Sequence, residues 1–413
     1  MSQSPRRFRI LVVLTGSAQT GGGFHQSATN LRMISKKSPP DFEIQVLDVN
    51  GNFREAIGEA ISSGRLNPEN VLHLPEKLKT LNDRVVASPR LIYKLARWWL
   101  AINGQKVGMS PVARFLDNSD ADLVYFASPA PVATELQQKP FVWTIWDLSH
   151  LDSPEFPELR TSQKFEDREQ FNSLALRKAV LIVAESQGLI ERIRVGFGVG
   201  SKKFVTIPLS PSTALDPSSN GRENLPPEIR ELKSPYVFYP AQLWTHKNHV
   251  RIAEAIALLN SQGHDFHAVF VGKDHGAGPA IMRRITDLGI SDHIHFLGYV
   301  ADEAIPALYT HASALVMASY VGPTNIPPLE AFVMGVPVIA SRVHEEQLHE
   351  GALYFDPDDP EELAQALLDC QDDKTRKNLV ASGTKRLKEL ELLTESGEDA
   401  LVKSLSRLSK RIL

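Results

Sequence analysis

Glu330 sits in the segment of this chain best suited to chemistry. The segment runs Tyr320-Val-Gly-Pro-Thr-Asn-Ile-Pro-Pro-Leu-Glu-Ala331 and follows an apolar run at Ala314–Met317. Pro327 fits the first helical position and Gly335 the end of the helix. A helix N-terminus at a strand's carboxyl end offers unpaired N–H groups and the positive end of the helix dipole, which suits a phosphate. Pro327 and Pro328 carry no N–H, so the donors fall to Thr324, Asn325 and Ile326, with the Thr324 hydroxyl beside them. A carboxylate in the first turn, Glu330, can accept hydrogen bonds from a diol such as a ribose. Its plainer role would be to complement the helix dipole.

Lys247 stands at a second strand-to-helix turn, between Tyr236–Tyr239 and a helix opening at His249. Most single lysines are solvated surface groups, but this placement aims a cation at a strand's carboxyl end. Gly21, Gly22 and Gly23 follow the apolar run Ile10–Leu14 and permit close backbone approach to a ligand, or simply a tight turn. No Cys cluster or His-x-x-x-His with a third ligand suggests a metal constellation. Asp120-Ala-Asp122 reads as a solvated turn and Asp356-Pro-Asp358 as part of a capping cluster. No P-loop is present.

Those turns need a frame. Apolar strands recur at Ile10–Leu14, Phe42–Val49, Leu123–Phe126, Phe141–Ile145 and Val180–Val183. After a Pro- and Ser-rich break they recur at Tyr236–Tyr239, Ala268–Val271, Ile294–Phe296, Ala314–Met317, Val338–Ala340 and Leu353–Phe355. Helix-length segments separate them, as in βαβ units with buried parallel sheets. The chain therefore reads as α/β, with two doubly wound Rossmann-like domains. The divisions fall at 1–207, a linker at 208–233, a second domain at 234–390, and a C-terminal helix at 391–413 that packs back on the first domain. Ligands of such sheets bind at the strands' carboxyl ends, and two facing domains suit a two-substrate transfer.

At this point a resemblance emerges. Pro327-x-Leu-Glu330-Ala331, continued by Gly335-x-Pro-Val-Ile-Ala-Ser341, resembles the Glu-x7-Glu signature of the family 4 glycosyltransferases of the GT-B fold. The family's first Glu is replaced by Gly322, so only the second Glu's ribose contact carries over, to Glu330. Tyr239-Pro-Ala-Gln-Leu-Trp-Thr-His-Lys247 resembles the family's Gly-Arg-x4-Lys segment, with Gln242 in place of Arg and Lys247 at the Lys. The family's cations neutralise the donor diphosphate, where charge grows as the leaving group departs. His295-Phe-Leu-Gly-Tyr299 resembles the stretch near the nucleobase, which implies contacts at Leu297 and Tyr299. The family's first glycine loop implies that Gly22 and Gly23 face the donor. Trp143-Thr-Ile-Trp-Asp147 resembles a His-Asp-Leu stretch with Trp146 for His, and makes Asp147 the candidate contact for the reacting sugar or acceptor hydroxyl. An Asx turn is its alternative.

The resemblance implies transfer of a hexosyl group, mannosyl or glucosyl for example, from a nucleoside-diphosphate sugar to a glycan, polysaccharide or lipid-linked hydroxyl. Retention and independence of metal or other cofactor are implied too. The catalytic pair would be Asp147 and Lys247. Alternatives are an inactive nucleotide-sugar-binding protein, which Gly322, Gln242 and Trp146 favour, or another GT-B enzyme such as an epimerase or phosphorylase.

Composition narrows the field further. The 413 residues are 42% hydrophobic and 23% charged, and 45 basic against 49 acidic residues leave a formal charge of −4. That balance argues against a dedicated nucleic-acid binder. One cysteine, Cys370, excludes an internal disulfide framework. The run Ile10–Leu14 is too short for a secretory signal core and no apolar stretch spans a bilayer, so a cytoplasmic protein is expected. Peripheral contact with the inner membrane face stays open, and the basic, aromatic stretch Pro89–Ile102 reads as a helix on its own sheet or a membrane-facing one.

Overall fold

The computed structural model describes residues 6–16, 22–75, 109–213 and 215–413. The stretch Pro89–Ile102 and Gly21 lie outside the described residues. The chain divides into two compact units. The first comprises Met1–Trp146, Glu169–Ile207 and Glu395–Leu413, and the second Asp147–Arg168 and Pro208–Thr394.

Among the described residues, the first unit is built on seven parallel strands: β1 (Phe8–Leu14), β2 (Phe42–Asp48), β3 (Val71–Leu72), β4 (Leu123–Phe126), β5 (Phe141–Ile145), β6 (Leu181–Ala184) and β7 (Phe204–Thr206). Their order is β3-β2-β1-β4-β5-β6-β7. Every residue of β4, β5 and β6 is buried, which is why these strands read as unbroken apolar runs rather than alternating ones. Side chains from the chain's far end, Leu401 and Leu405, complete this core.

The second unit holds six parallel strands: β8 (Tyr236–Tyr239), β9 (His267–Val271), β10 (Ile294–Gly298), β11 (Ala314–Met317), β12 (Val338–Ser341) and β13 (Ala352–Phe355). Their order is β10-β9-β8-β11-β12-β13. Chain direction across the sheet therefore reverses between β8 and β11. In open α/β sheets the crevice outside the carboxyl ends of the strands at such a reversal is where ligands bind. The loop after β8 carries Lys247, and the loop after β11 carries Thr324, Asn325 and Ile326. The helix Pro327–Val333 follows, with Pro at its start and buried Leu329, Ala331 and Phe332 facing the core. Gly335, at φ +66°, ends the turn.

Two short edge strands, β3 and β7, are absent from the sequence reading. At two and three residues they are too short for any periodicity to register. Among the described residues, no helix is long and apolar enough to cross a membrane.

Candidate active site

Lys247 ends a 3₁₀ turn, Thr245–Lys247, held by Asn248 in the left-handed conformation (φ +57°). The Tyr239 hydroxyl, from the end of β8, donates to the Lys247 carbonyl at 2.9 Å. The backbone is thus tied to the strand, and the ammonium is directed at the neighbouring loop, where Nζ donates to Asn325 Oδ1 at 3.3 Å. Burial pushes the lysine down to about 8, although the Asp147 carboxylate opposes the shift.

Asn325 organises the second loop. Its Nδ2 donates to the Gly322 carbonyl at 2.6 Å. Its backbone N–H donates to Gln347 Oε1 at 2.9 Å, and Gln347 Nε2 returns a bond to the Asn325 carbonyl at 2.8 Å. That engagement removes the Asn325 N–H from the anion donors suggested by the sequence; its side chain, not its backbone, faces Lys247. Ile326 is buried, and its carbonyl accepts from the N–H groups of Leu329 and Glu330. Thr324 lies in the same loop. Gly322, where the family signature has its first Glu, sits at φ +82°.

Glu330 lies half-buried in the first turn of Pro327–Val333. The Tyr309 hydroxyl donates to Oε2 at 2.7 Å. Burial raises its pKa, and the Tyr309 bond only partly offsets this.

Asp147 follows β5. Its Oδ1 accepts from the Ser149 N–H at 2.8 Å and from Arg168 at 2.6 Å. The Asx turn is therefore real, but an arginine shares the same oxygen. Burial would raise this carboxyl; Arg168 and the Ser149 N–H outweigh it, and its pKa lies below the ordinary value.

Sequence reasoning missed Glu158. Its Oε1 accepts both the His246 N–H at 2.8 Å and the Nδ1–H at 2.6 Å. Burial, followed by the Lys247 charge, pushes His246 down to about 4 despite this carboxylate. A neutral ring donating through Nδ1 leaves Nε2 as an acceptor beside Lys247. Phe156 packs on Tyr320 (centroids 5.2 Å) and His246 (6.2 Å). Glu158 is 88 positions from His246 with no motif of its own, so no sequence signal reveals the pair. His249, at the opening of the next helix, is a core residue: it is 1% exposed, packs between Tyr239 and Phe270, and is pushed down to about 3 by burial. His150 is likewise buried, against Phe165.

The remaining candidates are more dispersed. Gln242 Oε1 accepts from the Trp244 indole at 3.1 Å. Leu297 and Tyr299 lie at the carboxyl end of β10, two strands from β8, and Tyr299 is 78% exposed. Gly22 and Gly23 open the helix Gly22–Lys37 in the first unit. A Cβ on Gly23 would come within 2.6 Å of the Trp146 ring, so that glycine accommodates an indole.

Residues 221–386, which include the β8 and β11 loops, match the family model described as glycosyl transferases group 1. The complex of Anabaena Alr3699/HepE with UDP and glucose superposes with a TM-score of 0.65 at 18% identity, covering 97% of this chain and all of that one. WaaG, a glycosyltransferase involved in lipopolysaccharide biosynthesis, gives 0.61 at 16% identity over 95% and 99% of the two chains. The fold is GT-B. Among curated relatives, O-antigen chain mannosyltransferase B of Escherichia coli is 28% identical over 256 residues, 60% of this chain and 66% of its own length. O-antigen chain mannosyltransferase RfbU of Salmonella typhimurium is 31% identical over 137 residues, 33% of this chain and 38% of its own. The chain thus spans from just under two thirds to little more than a third of the length of these relatives.

Proposed function

We propose that this GT-B protein is a glycosyltransferase. It moves a hexosyl group, mannosyl by preference, from a nucleoside-diphosphate sugar to a hydroxyl of a glycan or lipid-linked precursor, with retention, without metal, and at the cytoplasmic side. The observation that carries this reading is the meeting of Lys247 with Asn325 at the reversal between β8 and β11, inside the stretch that matches the group 1 family. A half-buried lysine there stabilises the departing diphosphate, whose charge grows in the transition state. Glu330 holds the ribose, Leu297 and Tyr299 flank the base, and Gln242 and Thr324 add polar contacts. Asp147, held by Arg168 and coupled to Lys247, contacts the reacting sugar or acceptor. The two relatives named as O-antigen mannosyltransferases favour mannose, and the Anabaena protein solved with UDP and glucose favours a nucleotide-sugar donor.

The test is calorimetric binding of uridine, guanosine and thymidine diphosphates, followed by transfer from the matching mannosyl and glucosyl donors to lipid-linked and glycan acceptors. One nucleotide should bind, and its sugar should be transferred. Asp147→Asn should cut turnover far more than donor affinity. Binding without transfer to any acceptor would leave a nucleotide-sugar-binding protein in place of an enzyme.

A further inference from the structure

At the opposite end of the second sheet, three side chains converge that no sequence spacing links. Parallel pairing sets Ile294 beside Ala268, so His293 falls beside His267, and Asp265 shares the face of His267 two residues earlier. The His267 and His293 rings lie 4.8 Å apart. Asp265 Oδ1 is 3.3 Å from His293 Nε2 and 3.5 Å from His267 Nε2. All three ligand atoms lie within 4.8 Å of one another. Ligands bound tetrahedrally at zinc distances are about 3.3 Å apart, so two edges of the required triangle are already formed.

The surroundings also suit a metal. His267 Nδ1 faces His295 Nε2 at 3.0 Å; with His267 as the donor, this is the outer hydrogen bond that orients a ligating imidazole and leaves Nε2 its lone pair. The Ser234 hydroxyl donates to the other Asp265 oxygen. The His267 side chain is 11% exposed and Asp265 63%, so one flank is anchored and the other is open to solvent.

We propose that Asp265, His267 and His293 form a zinc site with water as fourth ligand. Two imidazoles and a carboxylate are nitrogen and oxygen donors of the hardness zinc accepts. The site lies apart from the loops that carry Lys247 and Asn325. It joins the start of β9 to the turn before the edge strand β10, at the amino ends of the strands. The β8 and β11 loops lie at the carboxyl ends, about 15 Å away along a five-residue strand. Zinc here pins the outermost strand and takes no part in sugar transfer.

The experiment uses the full chain without a histidine tag, with zinc chloride as the probe. Calorimetry should give one zinc per chain, and the melting temperature should rise by about 5–10 °C at a hundredfold excess over the dissociation constant. His293→Ala should abolish both effects while leaving nucleoside diphosphate affinity unchanged. His295→Ala should keep the stoichiometry and lose about tenfold in affinity, as for an outer partner. His264→Ala, an exposed histidine outside the cluster, should change nothing. Asp265→Asn, at an exposed position, provides a second ligand variant if His293→Ala fails to fold. The proposal is overturned if zinc leaves the melting temperature unchanged, if either ligand variant binds zinc like the parent, or if His264→Ala loses as much as they do.

Discussion

Burial deprives Lys247 of part of its hold on a proton, and this ties ligand affinity to pH. With the group at about 8, the lysine is charged below that value and neutral above it. A diphosphate binds the charged form, so nucleoside diphosphate affinity should fall as pH rises through 8. Lys247→Ala should weaken binding about 10–150-fold near neutrality, the equivalent of a charge-assisted hydrogen bond at about 1.5–3 kcal/mol, and should flatten the pH profile. Titration calorimetry across that range checks both; a parent profile as flat as the variant's would remove Lys247 from the site. Glu158 gives a second residue-level expectation. Burial opposes ionisation most strongly, yet the hydrogen bonds from the His246 N–H and ring, with the other backbone contacts, together outweigh it, and the pKa falls below the ordinary 4.5. A depressed carboxyl contributes stability that is present above 4.5 and lost as pH falls through the lower folded value. Glu158→Ala strands two donors of His246 and should cost about 1–3 kcal/mol for each left buried, measured by urea denaturation at neutral pH. Glu158→Gln should cost less there, and its deficit against the parent should shrink on acidification.

The loop after β11 shows how an element changes what a residue can do. Gly322 holds φ +82°, a region that costs an ordinary L-residue about 1–2 kcal/mol, and a Cβ there would lie 3.4 Å from Asn325 Nδ2. Introducing by Gly322→Glu the carboxylate that the similar signature carries should therefore bring the same stability loss as Gly322→Ala. Any difference in donor use between the two variants then reports the carboxylate alone; thermal melts and donor kinetics separate the effects. The central strands of both sheets were legible in the sequence because each is an uninterrupted apolar run: β4, β5, β8 and β11 are read to the residue. The helix Pro327–Val333 was legible from its proline start and glycine end. The closing contacts were not. Asn325 with Gln347, Glu158 with His246, and Asp147 with Arg168 are side-chain bonds between segments 21 to 88 positions apart, and local pattern carries no information about such pairs. The Asp265, His267 and His293 cluster was hidden for the same reason: strand register, not spacing, brings it together.

At the scale of the whole chain, the last helix decides how the two ends of the sequence share one core. The helix Asp373–Ile412 runs 40 residues, and its final part belongs to the first unit, where Leu401 and Leu405 are fully buried. Gly397 lies against β7. A Cβ there would come within 2.1 Å of the Thr206 carbonyl oxygen on β7. Helix propensity alone favours Gly→Ala by about 0.5–1 kcal/mol. Gly58, in the helix Arg54–Ser62 of the same unit, has nothing within 4 Å of its would-be Cβ. Gly58→Ala should therefore stabilise the unit by that amount. Gly397→Ala should do the reverse, because a backbone carbonyl cannot swing aside as a flexible side chain can, and overpacking of this kind costs about 1–3 kcal/mol. Chemical denaturation of the two variants under one condition gives opposite signs if the helix is seated this closely on β7. Equal stabilisation would mean that residues 395–413 are held more loosely than the Thr206 contact requires.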